Sequence, residues 1–111
     1  MRRMPNIDLT ELTKKKVRML TGHVRGVESR GYFHLDDLEG KEDVIFITAP
    51  DDLEAITPSF VQGFFAATIR KFGAAGLARH YDFSKLPTVL QQDFQMGIER
   101  LKLHVAASKQ A

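Results

Sequence analysis

The sequence predicts an α/β fold: one domain with a small mixed, largely parallel sheet flanked by helices. Three observations carry this. VIFIT (44–48) is an unbroken β-branched and aromatic run, the composition of a strand covered on both faces. From Thr57 to Gly73 the chain reads as a long apolar-striped helix. The segments around these alternate as β, short α, β, α, β, α, which favours parallel strands joined by helical crossovers.

The elements follow in order. Residues 1–15 read as a flexible basic N-terminal arm, with at most a short turn around Asp8-Leu9-Thr10. KVRMLTGHV (16–24) alternates apolar and polar at Val17, Met19, Thr21 and His23 or Val24, as a strand does. Gly22 and Gly26 interrupt it and suggest a bulge or hairpin turn. Ser29 is placed to cap a short helix through Tyr32, Phe33, Leu35 and Leu38, which Gly40 ends. VIFIT is the next strand, and Ala49-Pro50-Asp51-Asp52 turns the chain after it.

The long helix has the clearest start and stop. Thr57 stands at the N-cap, and Pro58 at the first helical position loses no hydrogen bond. Phe60, Val61, Phe64, Phe65, Ile69 and Phe72 form the stripe, Arg70 and Lys71 complement the dipole, and Gly73 supplies the stop. After GAAG, LARHYDF reads as a short strand. Ser84 can cap a final helix with Pro87 in its first turn. Its stripe is Leu86, Leu90, Phe94, Ile98, Leu101 and Val105, widened by Val89. The domain is thus expected over 16–106, with a frayed tail at 107–111.

Composition narrows the function classes. A hydrophobic fraction of 43% and a charged fraction of 27% are ordinary for a soluble globular chain, which argues against disorder. The absence of cysteine excludes disulfides, thiolate metal sites and thiol catalysis. No apolar run approaches bilayer-spanning length, and MRRMPNIDLTELTKKK has no apolar stretch behind its charges, so it does not read as a secretory signal. A cytoplasmic location is the default expectation. The net charge of +2 hides a division. Residues 1–30 are basic, residues 31–54 acidic and the remainder basic again. The first block offers Arg2, Arg3, Lys14, Lys15, Lys16 and Arg18 as a possible nucleic-acid contact. The second offers Asp51, Asp52 and Glu54 as an acidic protein-docking loop.

No catalytic residues emerge. His23, His34, His80 and His104 share no metal-ligand spacing, and no phosphate-binding glycine loop or nucleophile elbow occurs. No cofactor is implied. The adjacent carboxylates at 36–37 and 51–52 point in different directions on any regular element. What remains is the helix start, where Thr57 and Ser59 meet the positive end of the dipole, a place friendly to anions and to a phosphate on a hydroxyl.

The residues SRG (29–31), LDDLEGKEDVIFI (35–47), LEAITPSFVQGFF (53–65) and IRKFG (69–73) resemble the STAS-like domain family, a bacterial and phage-associated group mostly of unknown function. Ser29 and Arg30 match its Ser-Arg pair, Val44-Ile45-Phe46 its strand, and Ile56, Ser59-Phe60 and Phe64-Phe65 its helix start. The resemblance implies a STAS-like sandwich and a non-enzymatic regulatory role. The partner it implies is a protein, an anti-sigma or kinase-type ATPase as for anti-anti-sigma factors. It also implies that Thr57 or Ser59 lies where those regulators carry a phosphoserine. Here Thr57 stands in place of that turn's Asp, Pro58 or Ser59 in place of its serines, and Phe60 in place of its Gly.

Overall fold

In the computed structural model, residues 5–14, 16–41 and 44–109 are described, with side chains through His104. Strand β1 (Asn6–Asp8) leads through α1 (Thr10–Thr13) to β2 (Met19–Leu20). Helices α2 (His23–Tyr32) and α3 (Leu35–Lys41) follow, then β3 (Ile45–Thr48) and β4 (Ala55–Ile56). The chain ends with α4 (Pro58–His80), β5 (Tyr81–Asp82) and α5 (Thr88–Lys109). The α/β class and parallel pairing are as expected. The strands form two small sheets, however, in the orders β1-β3-β5 and β2-β4, and every pairing is parallel.

VIFIT forms the central strand because Ile45 and Ile47 are fully buried on one face, while Phe46 and Thr48 are half-covered on the other. Lys85 places its ammonium 4.4 Å from the centre of the Phe46 ring. Behind the buried face lies an aromatic core. Phe65 packs against Tyr81 at 4.7 Å and Phe94 at 5.7 Å between ring centres, and Phe64 against Phe60 at 5.5 Å. Each phenylalanine buried this completely contributes roughly 1.5–3 kcal/mol of transfer free energy.

Several local expectations are corrected. The arm expected over 1–15 is part of the fold from Asn6 to Thr13. Asn6 aligns with Phe46, the Leu9 N–H donates to the Thr48 carbonyl at 2.8 Å, and Ile7 and Leu9 are buried. Three residues of strand are too few to show a period. Arg2, Arg3 and Lys15 lie outside the described residues. The strand expected over 16–24 shrinks to Met19 and Leu20, since Gly22 at φ 95° turns the chain into α2. Gly26 lies inside that helix rather than at a bulge.

Ser29 is also within α2, where its hydroxyl donates to the Arg25 carbonyl at 2.7 Å and caps nothing. The chain reaches α3 through His34 at φ 55°, and α3 runs past Gly40. Gly73, at φ 75° and ψ 173°, is non-helical and stops the first helix of the Pro58–His80 span as expected, but a second helical piece follows it directly, so Leu77–His80 is helical and only Tyr81–Asp82 of LARHYDF is strand. Ser84 binds back to Asp82 through its N–H and hydroxyl instead of capping α5, which begins after Pro87. Leu90, Phe94, Ile98 and Leu101 form the buried stripe of α5, but Val89 faces outward. The backbone of α5 continues through Lys109; Val105 and the rest of the expected tail have no described side chains.

Candidate interaction site at the joined starts of α2 and α4

The β2–β4 pair positions this site. Met19 aligns with Ala55 and Leu20 with Ile56, so two chains leave one sheet edge together and each enters a helix. The Thr57 N–H donates to the Leu20 carbonyl at 2.9 Å, and the Ile56 N–H donates to Asp93 Oδ2 at 2.9 Å. Thr57 then caps α4, its Oγ1 accepting from the Phe60 N–H at 3.4 Å, with Pro58 in the first helical position.

Three hydroxyls gather there. Thr57 Oγ1 donates to Thr21 Oγ1 at 3.3 Å and lies 3.1 Å from Ser59 Oγ. Ser59 Oγ also accepts from the Gly22 N–H at 3.3 Å, reaching from one helix start to the other. Gly22 has no side chain with which to cap α2, so the first turn of α2 lacks a side-chain acceptor. Two positive helix ends are thereby held side by side. Their closeness rests on backbone contact: a Cβ added to Gly26 would lie 2.2 Å from the Phe60 carbonyl oxygen.

The sequence-selected residues divide into three places. Thr57 and Ser59 are at the joined starts, Ser59 being exposed. Asp51 and Asp52 are exposed in the turn after β3, and Glu54 precedes β4. Extended chain separates Glu54 from Thr57 by roughly 10 Å, so the acidic loop and the hydroxyls occupy opposite ends of β4. Arg18 lies beside Glu54 at 3.6 Å, both side chains largely exposed, at 76% and 67%. Lys14 and Lys16 are also exposed. The acidic loop and the basic segment thus adjoin and partly offset each other.

Ser29, Arg30 and Phe60 are buried away from solvent. Arg30 organises a polar cluster the sequence did not announce. Its Nη1 donates to the Phe64 carbonyl at 2.9 Å and to Thr68 Oγ1 at 2.7 Å, and its Nη2 to Glu39 Oε1 at 2.8 Å and Asp36 Oδ1 at 2.7 Å. Thr68 and Tyr81 donate their hydroxyl protons to Glu39 Oε2. Burial alone would lower the Arg30 pKa, but its bonds to Glu39 and Asp36 outweigh this and raise it. Arg30 in turn holds Asp36 below the usual carboxylate range. The members of the cluster lie 6 to 51 positions from Arg30 with no common period, so no local motif marks them.

Arg30 lines an open cleft of about 460 Å³ together with Val27, His34, Leu35, Asp36, Asp37 and Ala67, and there its Nη2 is bound by the exposed Asp36. Among the described residues, no three His, Asp or Glu side chains converge as metal ligands, and no helix is long and apolar enough to cross a membrane. The hydrogen-bond partners of Ser59 Oγ are a backbone N–H and a second hydroxyl. This arrangement can bind through hydrogen bonds and helix dipoles, and among the described residues no carboxylate or imidazole is bonded to Ser59.

No protein-family model, no curated protein and no solved structure matches the chain.

Proposed function

We propose that this chain is a non-enzymatic regulatory module of STAS-like type. In this reading it binds a protein partner, an anti-sigma or kinase-type ATPase, at the joined starts of α2 and α4. The observation that carries the reading is the exposed Ser59 hydroxyl tied to both helix starts, with Thr57 and Thr21 beside it. A partner loop bearing a carboxylate or phosphate would meet two dipole ends and three hydroxyls there. Asp51, Asp52 and Glu54 form a separate acidic contact beyond β4.

The test is co-purification from the native host with a tagged copy, comparing wild type with Ser59→Arg and with Asp51, Asp52 and Glu54 reversed to Lys. The expected result is recovery of an ATPase with wild type and its loss with Ser59→Arg, whose fold is intact by circular dichroism. Recovery of no ATPase, with both variants silent in cells, would overturn the reading. Nucleic-acid association through Lys14, Lys16 and Arg18 is the alternative. It is the weaker reading because Arg18 is offset by Glu54. Retention of DNA or RNA at low salt, lost on adding salt, would favour it instead.

A further inference from the structure

Helix α5 has two apolar faces. One is the buried stripe of Leu90, Phe94, Ile98 and Leu101. The other is Val89, Met96 and Leu103, which point outward with 54%, 54% and 73% of their surface exposed. Single exposed apolar residues are commonplace. These three recur every seventh residue, so they lie along one helix face over roughly 21 Å, at one of the two positions per heptad that a helix-pairing seam uses, with Gln92, Asp93, Glu99 and Arg100 between them.

The flanks of the seam are self-complementary. Asp93 and Arg100 lie three residues before and four after Met96, on one side. Gln92 and Glu99 lie four before and three after it, on the other. Turning a second α5 antiparallel about Met96 puts Asp93 beside Arg100 of the second copy, twice, and Gln92 beside its Glu99, twice. Met96 then meets its own counterpart and Val89 meets Leu103. Glu99 already has Lys102 at 3.3 Å, whereas Arg100 has no partner among the described residues. The antiparallel arrangement also sets the two helix dipoles head to tail.

We propose that the outer face of α5 is a self-association surface, on which a second copy of this chain docks antiparallel across Met96. Three apolar layers make a short seam, so the dimer dissociates reversibly on dilution.

The chain has no cysteine, so single introduced cysteines report the geometry cleanly. Sedimentation equilibrium of the full chain from micromolar to near-millimolar concentration should show mass rising toward twice the monomer. Met96→Glu should weaken association at least about tenfold by placing like charges at the two-fold centre, with thermal stability unchanged because Met96 is half exposed. Arg100→Glu, which faces Asp93 of the other copy, should weaken it too. Asp93 itself is left intact because it also holds the Ile56 N–H. On oxidation, Met96→Cys should cross-link with itself. Val89→Cys and Leu103→Cys should cross-link when mixed and not alone. A monomeric mass at every concentration would overturn the proposal, as would Val89→Cys linking to itself or Met96→Glu associating like wild type. So would a monomer whose labelled Met96→Cys becomes buried only on phospholipid vesicles.

Discussion

Gly26 and Gly63 face each other without a side chain between them, so α2 and α4 meet backbone to backbone. A Cβ on Gly63 would lie 2.1 Å from the His23 carbonyl oxygen, and one on Gly26 2.8 Å from the Phe64 nitrogen. No flexible side chain is present to move aside at these contacts. Either helix must therefore shift when a methyl group is added, and the helix starts carrying Ser59 and Gly22 shift with it.

Gly63→Ala and Gly26→Ala are each expected to lower stability by about 3 kcal/mol, at the upper end for overpacking a core. Urea denaturation of each variant checks this. Gly31→Ala is the control: it lies in α2 with open space at its Cβ, and it should be neutral or slightly stabilising.

The buried ion pair gives a second expectation. Arg30→Met leaves the Glu39 carboxylate buried with only hydroxyl donors, and breaking one half of such a pair costs about 3–5 kcal/mol. Glu39→Leu leaves the guanidinium with Asp36, Thr68 and the Phe64 carbonyl, and should cost less. The double variant should be more stable than Arg30→Met alone, because no uncompensated charge then remains. Denaturant midpoints of the three variants decide it, and strict additivity would rule out the coupling.

How much of this was legible in the sequence depends on how local each signal was. Thr57-Pro58 and the stripe of α4 from Phe60 to Ile69 were readable because a cap and a helical period lie within a few residues of each other, whereas Phe72, expected in the same stripe, is exposed beside the break at Gly73. The buried face of α5 was readable for the same reason. β1 and β4 were not, being three and two residues long and existing only through pairing with distant partners. Gly26 looked like a break in a strand, although its role is to admit Gly63, and nothing near either position signals the other. The polar cluster was hidden similarly. Arg30 was visible as half of a Ser-Arg pair, but its partners Glu39 and Thr68, and Tyr81 which joins through Glu39, come from three separate elements. Ser59 was singled out for its place at a helix start; that this start is shared with α2 is a property of the fold alone.

Tyr81 makes stability sensitive to alkali. Burial, and then its hydrogen bond to Glu39, push its phenol well above the ordinary value of 10.0. The unfolded chain releases this proton near that ordinary value while the folded chain keeps it. The contribution is therefore complete below pH 10 and is lost as pH rises beyond it. Tyr81→Phe should cost about 1–2 kcal/mol near neutrality, from the lost bond to Glu39. Its stability should then decline less steeply between neutral pH and strong alkali than that of wild type. Parallel alkaline limbs in the two proteins would show that another group governs the loss.

The two hydroxyls at the start of α4 should separate in their effects. Thr57 accepts from the Phe60 N–H within the helix, so Thr57→Ala should cost about 1 kcal/mol, the usual value of an N-cap. Ser59 is exposed and binds the Gly22 N–H at 3.3 Å, so Ser59→Ala should change stability by no more than about 0.5 kcal/mol. Partner retention should rank the other way, with Ser59→Ala weakening it more than Thr57→Ala does. Thermal melts and a pull-down on the same two variants test both halves. If Ser59→Ala proves as destabilising as Thr57→Ala and leaves retention untouched, Ser59 is a tie between α2 and α4. The binding surface would then have to be sought elsewhere, first at the acidic turn of Asp51 and Asp52.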